Sequence, residues 1–564
     1  MRLPIYALIC SFFLRLLQQT HASNKVNIIF LMTDDMGRTM LYPYSKNVIP
    51  LPNLRRFADM STTLKLNTVY SVCSPARQSF LTGVDHPNVL TFDQNFFQIG
   101  YDSLFKILCD AKDNCYSGMF GKIMHEYKED LALQLFYKMN QTSVPRYPIV
   151  DGNNDCNGRD IGCVVASSKL SDTAVTAQGI KFLKQAKQKL DAGTIQRFVL
   201  GIGYHKPHID MASYVARIKP YQLSMPNLTR PITSLNGQPE IDFYHSTDIE
   251  SMTLNGKKII SGNIQNVDQI TQSTPTTLKI RALYFNSLYA VDIGVGKVLD
   301  TVASLGLDQN TYIVFLADHG FNLGDGNAWG KNDLSQPVIE VPGYITGPGI
   351  NKGVIADSEI SLIDFVPTFI DLLHGTGASK NFVHPSGVKL RGVSFVPALV
   401  NDKSEINKYV FFRHAACQPN TQLRTNPCTT DDVIGSCDRP YMTYMGHGVT
   451  TTQNNRTCTY NAWWPFNENR IGCSLPSWKN QPASLVGKYG KQSPQINLTD
   501  SWTDFSVPPY QPKLLCHTFN AKYGSLDNPN FNNLALHPSN EDSALIDEMQ
   551  QAIINRYRSS NRAG

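Results

Sequence analysis

A thiol and a permanent cation stand four residues apart in Cys73-Ser74-Pro75-Ala76-Arg77, and Gln78-Ser79-Phe80-Leu81-Thr82-Gly83 follows directly. Proline fixes its own φ and biases the residue before it toward extended backbone. The pattern predicts that the thiol sits at the mouth of a helix running through Arg77 to Leu81. A helix N-terminus attracts negative charge, and a guanidinium suits a tetrahedral oxyanion. The plainer reading of Cys73 is half of a disulfide or a buried thiol, because secreted chains usually pair their cysteines.

Other chemistry-bearing groups are spread along the chain. Asp34 and Asp35 are adjacent carboxylates whose repulsion a hard cation would relieve. Both face one mouth only if the chain turns there, which Gly37 permits. Their plainer role is as a helix cap and turn. Gly121-Lys122-Ile123-Met124-His125 offers a cation and an imidazole, which alone read as surface residues. Tyr204-His205-Lys206-Pro207-His208 packs three potential cations into five residues, a signal for an anion or metal site against the alternative of a solvated loop. As a zinc site it lacks clear partners. Asp318-His319-Gly320 and Trp329-Gly330-Lys331 complete the set.

The elements around these groups share one feature. Residues 25–32, 116–120, 198–203 and 312–317 are short apolar runs that read as buried parallel strands. Asp34-Asp35, Lys122-His125, His205 and Asp318-His319 each fall just after one of them. In a doubly wound sheet such strand ends converge on one edge, where ligands bind. Helices are expected over Tyr101–Leu108, over Ser171–Leu190 with Ser171 as N-cap, over Thr277–Leu305, and over Ser361–Leu373 with an interruption at Pro367. Residues 211–276 read as an extended loop region of the kind that carries specificity.

The 564 residues suffice for a large domain and a smaller one. A net charge of +5 without blocks of like charge speaks against nucleic-acid binding. Residues 1–22 read as a cleaved signal peptide, with Arg2, an apolar run over Pro4–Leu17 and small residues at Thr20-His21-Ala22. No later stretch is long and apolar enough to anchor the chain in a membrane. Of the twelve cysteines, removing Cys10 and Cys73 leaves ten, which suits up to five disulfides. Close spacing favours Cys109–Cys115 and Cys156–Cys163. Sequons at Asn140, Asn227, Asn455 and Asn497 agree with a secretory glycoprotein, lysosomal or extracellular. Cysteines and tryptophans become dense beyond about residue 400. The expected organisation is a catalytic domain over 23–438 and a smaller C-terminal domain over 439–564.

Together these groups define a chemistry. Asp34, Asp35 and Asp318 are enough carboxylate for one Ca²⁺ or Mg²⁺, although His319 is awkward beside a hard cation. Arg77, Lys122 and Lys331 would surround a tetrahedral oxyanion, and histidines supply proton transfer. The set suits sulfuryl or phosphoryl transfer, with the nucleophile deciding between them.

The Cys73–Gly83 segment, with Thr33–Asp35, Gly121–His125, Gly203–His208, Asp318–Gly320 and Trp329–Lys331 in this order, resembles the sulfatases, and among them the iduronate-2-sulfatase branch. The resemblance spans nearly the whole mature chain. It implies an alkaline-phosphatase-like α/β fold: a large mixed, mostly parallel sheet flanked by helices, plus a smaller C-terminal domain with an antiparallel sheet. It implies that a formylglycine-generating enzyme oxidises Cys73 to formylglycine, and that Asp34, Asp35, Asp318, His319 and the modified Cys73 hold one Ca²⁺. It further implies roles for Arg77 and Lys122 in holding the aldehyde hydrate and the sulfate. His205 and Lys331 fall on the leaving-group side, and His125 becomes the base that releases enzyme-bound sulfate.

The chain departs from that branch in three places, one of them the loop after His125, which is unlike the one that recognises uronate. Val84-Asp85-His86-Pro87-Asn88 replaces an Arg-Arg-Pro-Asp run, and Gly324-Asp325-Gly326-Asn327-Ala328 lacks a Glu-His pair. The resemblance therefore implies sulfate ester hydrolysis on sulfated glycans, with 2-O-sulfated uronate one candidate. The competing readings are a phosphodiesterase or phosphomonoesterase of the same superfamily and an inactive sulfated-glycan-binding protein.

Overall fold

The structure is a computed structural model. It describes residues 26–41, 50–85, 102–109, 114–124, 160–223, 274–324, 328–331, 333–384, 389–417, 442–453, 456–465 and 510–520. Shorter described pieces lie at 43, 155–156, 253–254, 256–258, 503, 505, 508–509, 525–527, 534–536 and 538–558. The signal-peptide segment, His125 and the four sequon asparagines fall outside these residues.

In chain order the first unit carries β1 (Asn27–Thr33), α1 (Pro52–Asp59), β2 (Thr62–Asn67), α2 (Cys73–Thr82), α3 (Leu104–Leu108), β3 (Cys115–Gly121), α4 (Ser171–Asp191), β4 (Arg197–Gly203), α5 (Thr274–Ser304), β5 (Thr311–Ala317), β6 (Glu340–Val341), β7 (Gly343–Thr346), β8 (Val354–Ser361) and α6 (Phe365–His374). Its strands form an 8-stranded sheet in the order β6-β2-β7-β5-β1-β4-β3, with β8 also on β2. The pairs β1–β4, β1–β5, β3–β4 and β2–β8 are parallel, whereas β6 and β7 run against their neighbours. The apolar runs are central because they are covered on both faces: Ile28 to Met32 are wholly buried. Each such side chain contributes about 1.5–3 kcal/mol relative to an exposed one.

Register levels the strand ends. Thr33 pairs Ala317, Met32 pairs Gly203 and Gly121 pairs Gly203, so Asp34, Asp318, Tyr204 and Lys122 all begin the same edge. The β3 and β4 ends approach closely. A Cβ on Gly203 would lie 2.1 Å from the Lys122 carbonyl carbon, and Gly121 has φ +68.

Several local expectations change. The helix at 361–373 begins only at Phe365, so Pro367 stands in its first turn, where a missing N–H costs nothing, and it interrupts no helix. Ser171 is inside α4 rather than its N-cap, which is Leu170; the Asp155 carboxylate accepts from Ser171 N at 3.1 Å and Oγ at 2.8 Å. Cys109–Cys115 and Cys156–Cys163 are disulfides as expected, and Cys458–Cys516 is a third.

The C-terminal unit is a 5-stranded antiparallel sheet of sequential strands β9 (Val410–Cys417), β10 (Met442–Gln453), β11 (Arg456–Pro465), β12 (Tyr510–Asn520) and β13 (Ser525–Asp527), followed by α7 (Asn540–Arg558). Its first strand precedes residue 439, because Val410–Cys417 pairs along β10. Alternation along β11 sends Trp464 toward Met549, Ile553 and Tyr557 of α7 and Trp463 toward Leu334 and Ile339 of the first unit. Both faces of the sheet are thus buried. Among the described residues, no helix is long and apolar enough to cross a membrane.

Candidate active site

Cys73 is the first residue of α2, as the proline pattern predicts, and is buried and unpaired. Its Sγ lies 3.3 Å from Asp34 Oδ1, 3.1 Å from His319 Nε2 and 3.2 Å from Lys331 Nζ. One turn further, Arg77 is wholly buried beneath it. Its Nε donates to Asp318 Oδ2 at 2.8 Å, and its Nη2 is 3.2 Å from Asp34 Oδ2. Arg77 Nη1 donates to the Lys122 carbonyl, which ties α2 to the end of β3.

Asp34 continues β1, while Asp35 takes φ +61, a left-handed conformation rare outside glycine. That residue makes the turn that brings both carboxylates to one mouth. Gly37 has φ −76 and plays no such part; it is small because a Cβ there would lie 2.7 Å from the Pro337 carbonyl oxygen. The turn is braced by Tyr284 of α5, whose hydroxyl donates to Asp35 O at 2.5 Å, and by Met36 N, which donates to His319 O at 2.8 Å.

Three cations answer three carboxylates here. Lys122 Nζ pairs with Asp34 Oδ2, Lys331 Nζ with Asp35 Oδ1 at 2.9 Å, and Arg77 with Asp318. Burial penalises the charge on Asp34, but Lys122 and Arg77 outweigh it and hold the carboxyl well below its usual range. Asp35 goes the other way: burial, aided by the Asp34 charge, pushes it well above that range despite Lys331. Burial likewise opposes charge on His319, yet Asp318 and the Cys73 sulfur lift it to about 10.

The residues present fit a divalent cation. Donor atoms of Asp34, Cys73, Asp318 and His319 lie within 4.8 Å of one another. Asp35 Oδ2 is buried and accepts no hydrogen bond among the described residues. A cation there would relieve both the orphaned oxygen and the carboxylate repulsion.

His205 follows β4 and is buried, and neither ring nitrogen has a hydrogen-bond partner among the described residues. Burial first, then the Lys122 and Lys206 charges, keep it well below the usual imidazole range. Its loop is fixed by groups that sequence reasoning missed. Asp172, in the first turn of α4, accepts from His205 N at 2.7 Å and Lys206 N at 3.0 Å. Lys206 is no solvated cation: it is fully buried, with Nζ 2.6 Å from Asp210 Oδ1 and 3.1 Å from Asp155 Oδ2. Nothing in the spacing announces Asp172, 33 residues upstream of the group it holds. Asp34, Asp35, Cys73, Arg77, Lys122, His205, Asp318, His319 and Lys331 are therefore brought to one sheet edge, while His125 lies outside the described residues.

The sulfatase family profile matches residues 26–376. The chain belongs to the sulfatase family. The mouse iduronate 2-sulfatase is 26% identical over 357 residues, 59% of this chain and 61% of that one. The choline-sulfatase of Rhizobium meliloti is 25% identical over 66% of this chain and 72% of its own length. The chain thus spans about three fifths of the iduronate 2-sulfatases it matches. Among solved structures, a phosphonate monoester hydrolase from Silicibacter pomeroyi aligns with a TM-score of 0.58 at 15% identity, over 95% of this chain and 96% of that one. A 2-O GAG sulfatase aligns at 0.55 and 14%, over 95% and 93%. The fold is that of the alkaline-phosphatase-like sulfatases, a family generally dependent on formylglycine and a metal ion.

Proposed function

We propose that the chain is a secretory-pathway sulfatase, lysosomal or extracellular, that removes sulfate from sulfated sugars using formylglycine made from Cys73 and one Ca²⁺. The observation that carries this reading is the surroundings of Cys73. It is unpaired in a chain where other described cysteines form disulfides, and Asp34, His319 and Lys331 converge on its sulfur.

Asp34, Asp35, Asp318 and His319 would hold the cation, which supplies Lewis-acid polarisation of the sulfate and the nucleophile. The aldehyde hydrate supplies a hydroxyl nucleophile that no unmodified side chain offers at this position. Lys122, Lys331 and Arg77 bind and orient the sulfate charge. Lys122 and Lys331 neutralise Asp34 and Asp35, and a cation held by those carboxylates would free both ammonium groups for the sulfate. His205 enters neutral, and a bound sulfate opposes the Lys122 and Lys206 charges that depress it. With those charges opposed it takes up a proton from solvent and, as the imidazolium, passes that proton to the leaving sugar oxygen and returns to the neutral ring. His125 is the expected base for sulfate release.

Glycosaminoglycans carrying 2-O-sulfated uronate are the first substrates to test, since the mouse relative is an iduronate 2-sulfatase and a fold neighbour a 2-O GAG sulfatase. The Val84–Asn88 departure argues for including other sulfated sugars. The partners expected are the glycan and a formylglycine-generating enzyme. The test pairs sulfate release from such oligosaccharides with the mass of the Cys73 peptide. An aldehyde and turnover abolished in Cys73→Ala are expected. Turnover retained in Cys73→Ala, or turnover of phosphate esters but not of sulfate esters, would sink the reading.

A further inference from the structure

His208 stands outside the residues assigned so far, yet it faces the same mouth. Its Nδ1 lies 2.8 Å from the carbonyl oxygen of Ile209, which can only accept. Nδ1 therefore donates to that carbonyl, and Nε2 is the nitrogen turned toward the pocket. That nitrogen lies 3.8 Å from Asp35 Oδ2, the buried oxygen that accepts no hydrogen bond among the described residues. These two atoms face each other across a gap at the mouth, with Asp35 buried and the His208 ring partly exposed. Such a pair needs a positive or protic group between them.

His319 is arranged the same way. Its Nδ1 lies 3.0 Å from the carbonyl oxygen of Gly320, the next residue, and its Nε2 looks into the pocket at Cys73 Sγ. A ring anchored through Nδ1 by a local carbonyl and aimed through Nε2 is the habit of metal-bound histidine. Donor atoms of Asp34, Asp35, Cys73 and His208 also lie within 4.8 Å of one another. This cluster shares Asp34 and Cys73 with the cluster containing Asp318 and His319. The loop holding His208 is tied down by contacts already given: Asp172 accepts from His205 N and Lys206 N, and the Lys206 ammonium is locked between Asp155 and Asp210.

We propose that His208 is a second imidazole ligand of the divalent cation at this site, sharing it with Asp35 Oδ2. The proposal rests on the reading that the site binds a divalent cation, and it goes beyond the ligand set that the family resemblance implies. It has a consequence for ion choice. Hard Ca²⁺ prefers oxygen, whereas two imidazoles move the preference toward borderline ions such as Mn²⁺. It also makes the Gly203–His208 loop part of the metal site as well as the leaving-group side, so ion binding and the placement of His205 are linked.

The test is pulsed electron paramagnetic resonance of the intact chain loaded with Mn²⁺ alone, with histidine labelled with ¹⁵N. Couplings from two imidazole nitrogens are expected in the wild type. One is expected in His208→Gln and one in His319→Gln, with Mn²⁺ affinity about tenfold weaker or more in each. A wild-type spectrum with a single imidazole overturns the proposal, and this readout needs no variant to fold. A His208→Gln spectrum and affinity equal to wild type, or no Mn²⁺ binding at all, overturns it too. Sulfate release is measured in parallel: turnover by a protein showing one imidazole would remove His208 from the metal and leave the sulfatase reading intact. Two imidazoles without turnover would do the reverse.

Discussion

Arg77 is where the electrostatics of the site can be measured without a substrate. Its guanidinium is shared by Asp318 at 2.8 Å and Asp34 at 3.2 Å, and all three side chains are buried. Arg77→Ala would leave Asp318 without this cation, whereas Asp34 keeps Lys122. The cost is therefore that of one broken buried pair, about 3–5 kcal/mol, rather than twice that. For a unit of about 350 residues, unfolding entropy scales to about 1.4 °C of melting temperature per kcal/mol, so a drop of about 4–7 °C follows. Arg77→Lys keeps the charge, but one ammonium cannot reproduce the guanidinium fork, and about half the loss is expected. The assay is calorimetric melting of wild type and both variants in chelator, then with added Ca²⁺. A cation among Asp34, Asp35 and Asp318 takes over part of the neutralisation, so Ca²⁺ should narrow the gap. An Arg77→Ala protein melting within about 1 °C of wild type in chelator would refute the reasoning.

Two further outcomes concern stability elsewhere. Cys458–Cys516 closes a loop of 58 residues, worth about 4 kcal/mol by loop-closure entropy; Cys458→Ala with Cys516→Ala should melt the C-terminal sheet first, read by hydrogen exchange across β11 and β12. Burial raises Asp292, which accepts from Leu54 N, to about 6, so the folded state binds a proton that the unfolded state, near 3.8, does not. Its contribution is full below about pH 4 and is lost as pH rises through about 6. Melting temperature should therefore fall between those values, and Asp292→Asn should reduce the slope; an unchanged slope would count against it.

The sheet edge of the candidate site was legible because period and placement are local properties. Runs such as Ile28–Met32 and Tyr312–Ala317 state their burial in their composition, and the polar groups just after them state which edge matters. What the pattern misassigned were steric and capping details set by distant chain. Gly37 is constrained by Pro337, and α4 is capped by Asp155. The C-terminal sheet recruits residues 410–417 by pairing with β10, a partner some thirty residues on that the apolar run at Val410–Phe412 does not itself name.

By itself, then, the amino-acid sequence determined the residue types of the site, the helix mouth at Cys73 and the strands that carry Asp34, Lys122, His205 and Asp318. Those follow from backbone chemistry and apolar patterning within a few residues. Tertiary structure alone decided register and facing. Parallel pairing of Thr33 with Ala317 sets Asp34 beside Asp318, the left-handed turn at Asp35 aims a second carboxylate inward, and Asp172 holds His205 and its loop at the mouth. Such contacts join residues from 33 apart, Asp172 with His205, to 284 apart, Thr33 with Ala317, and distances of that kind are set by packing of the whole core rather than by any stretch of chain.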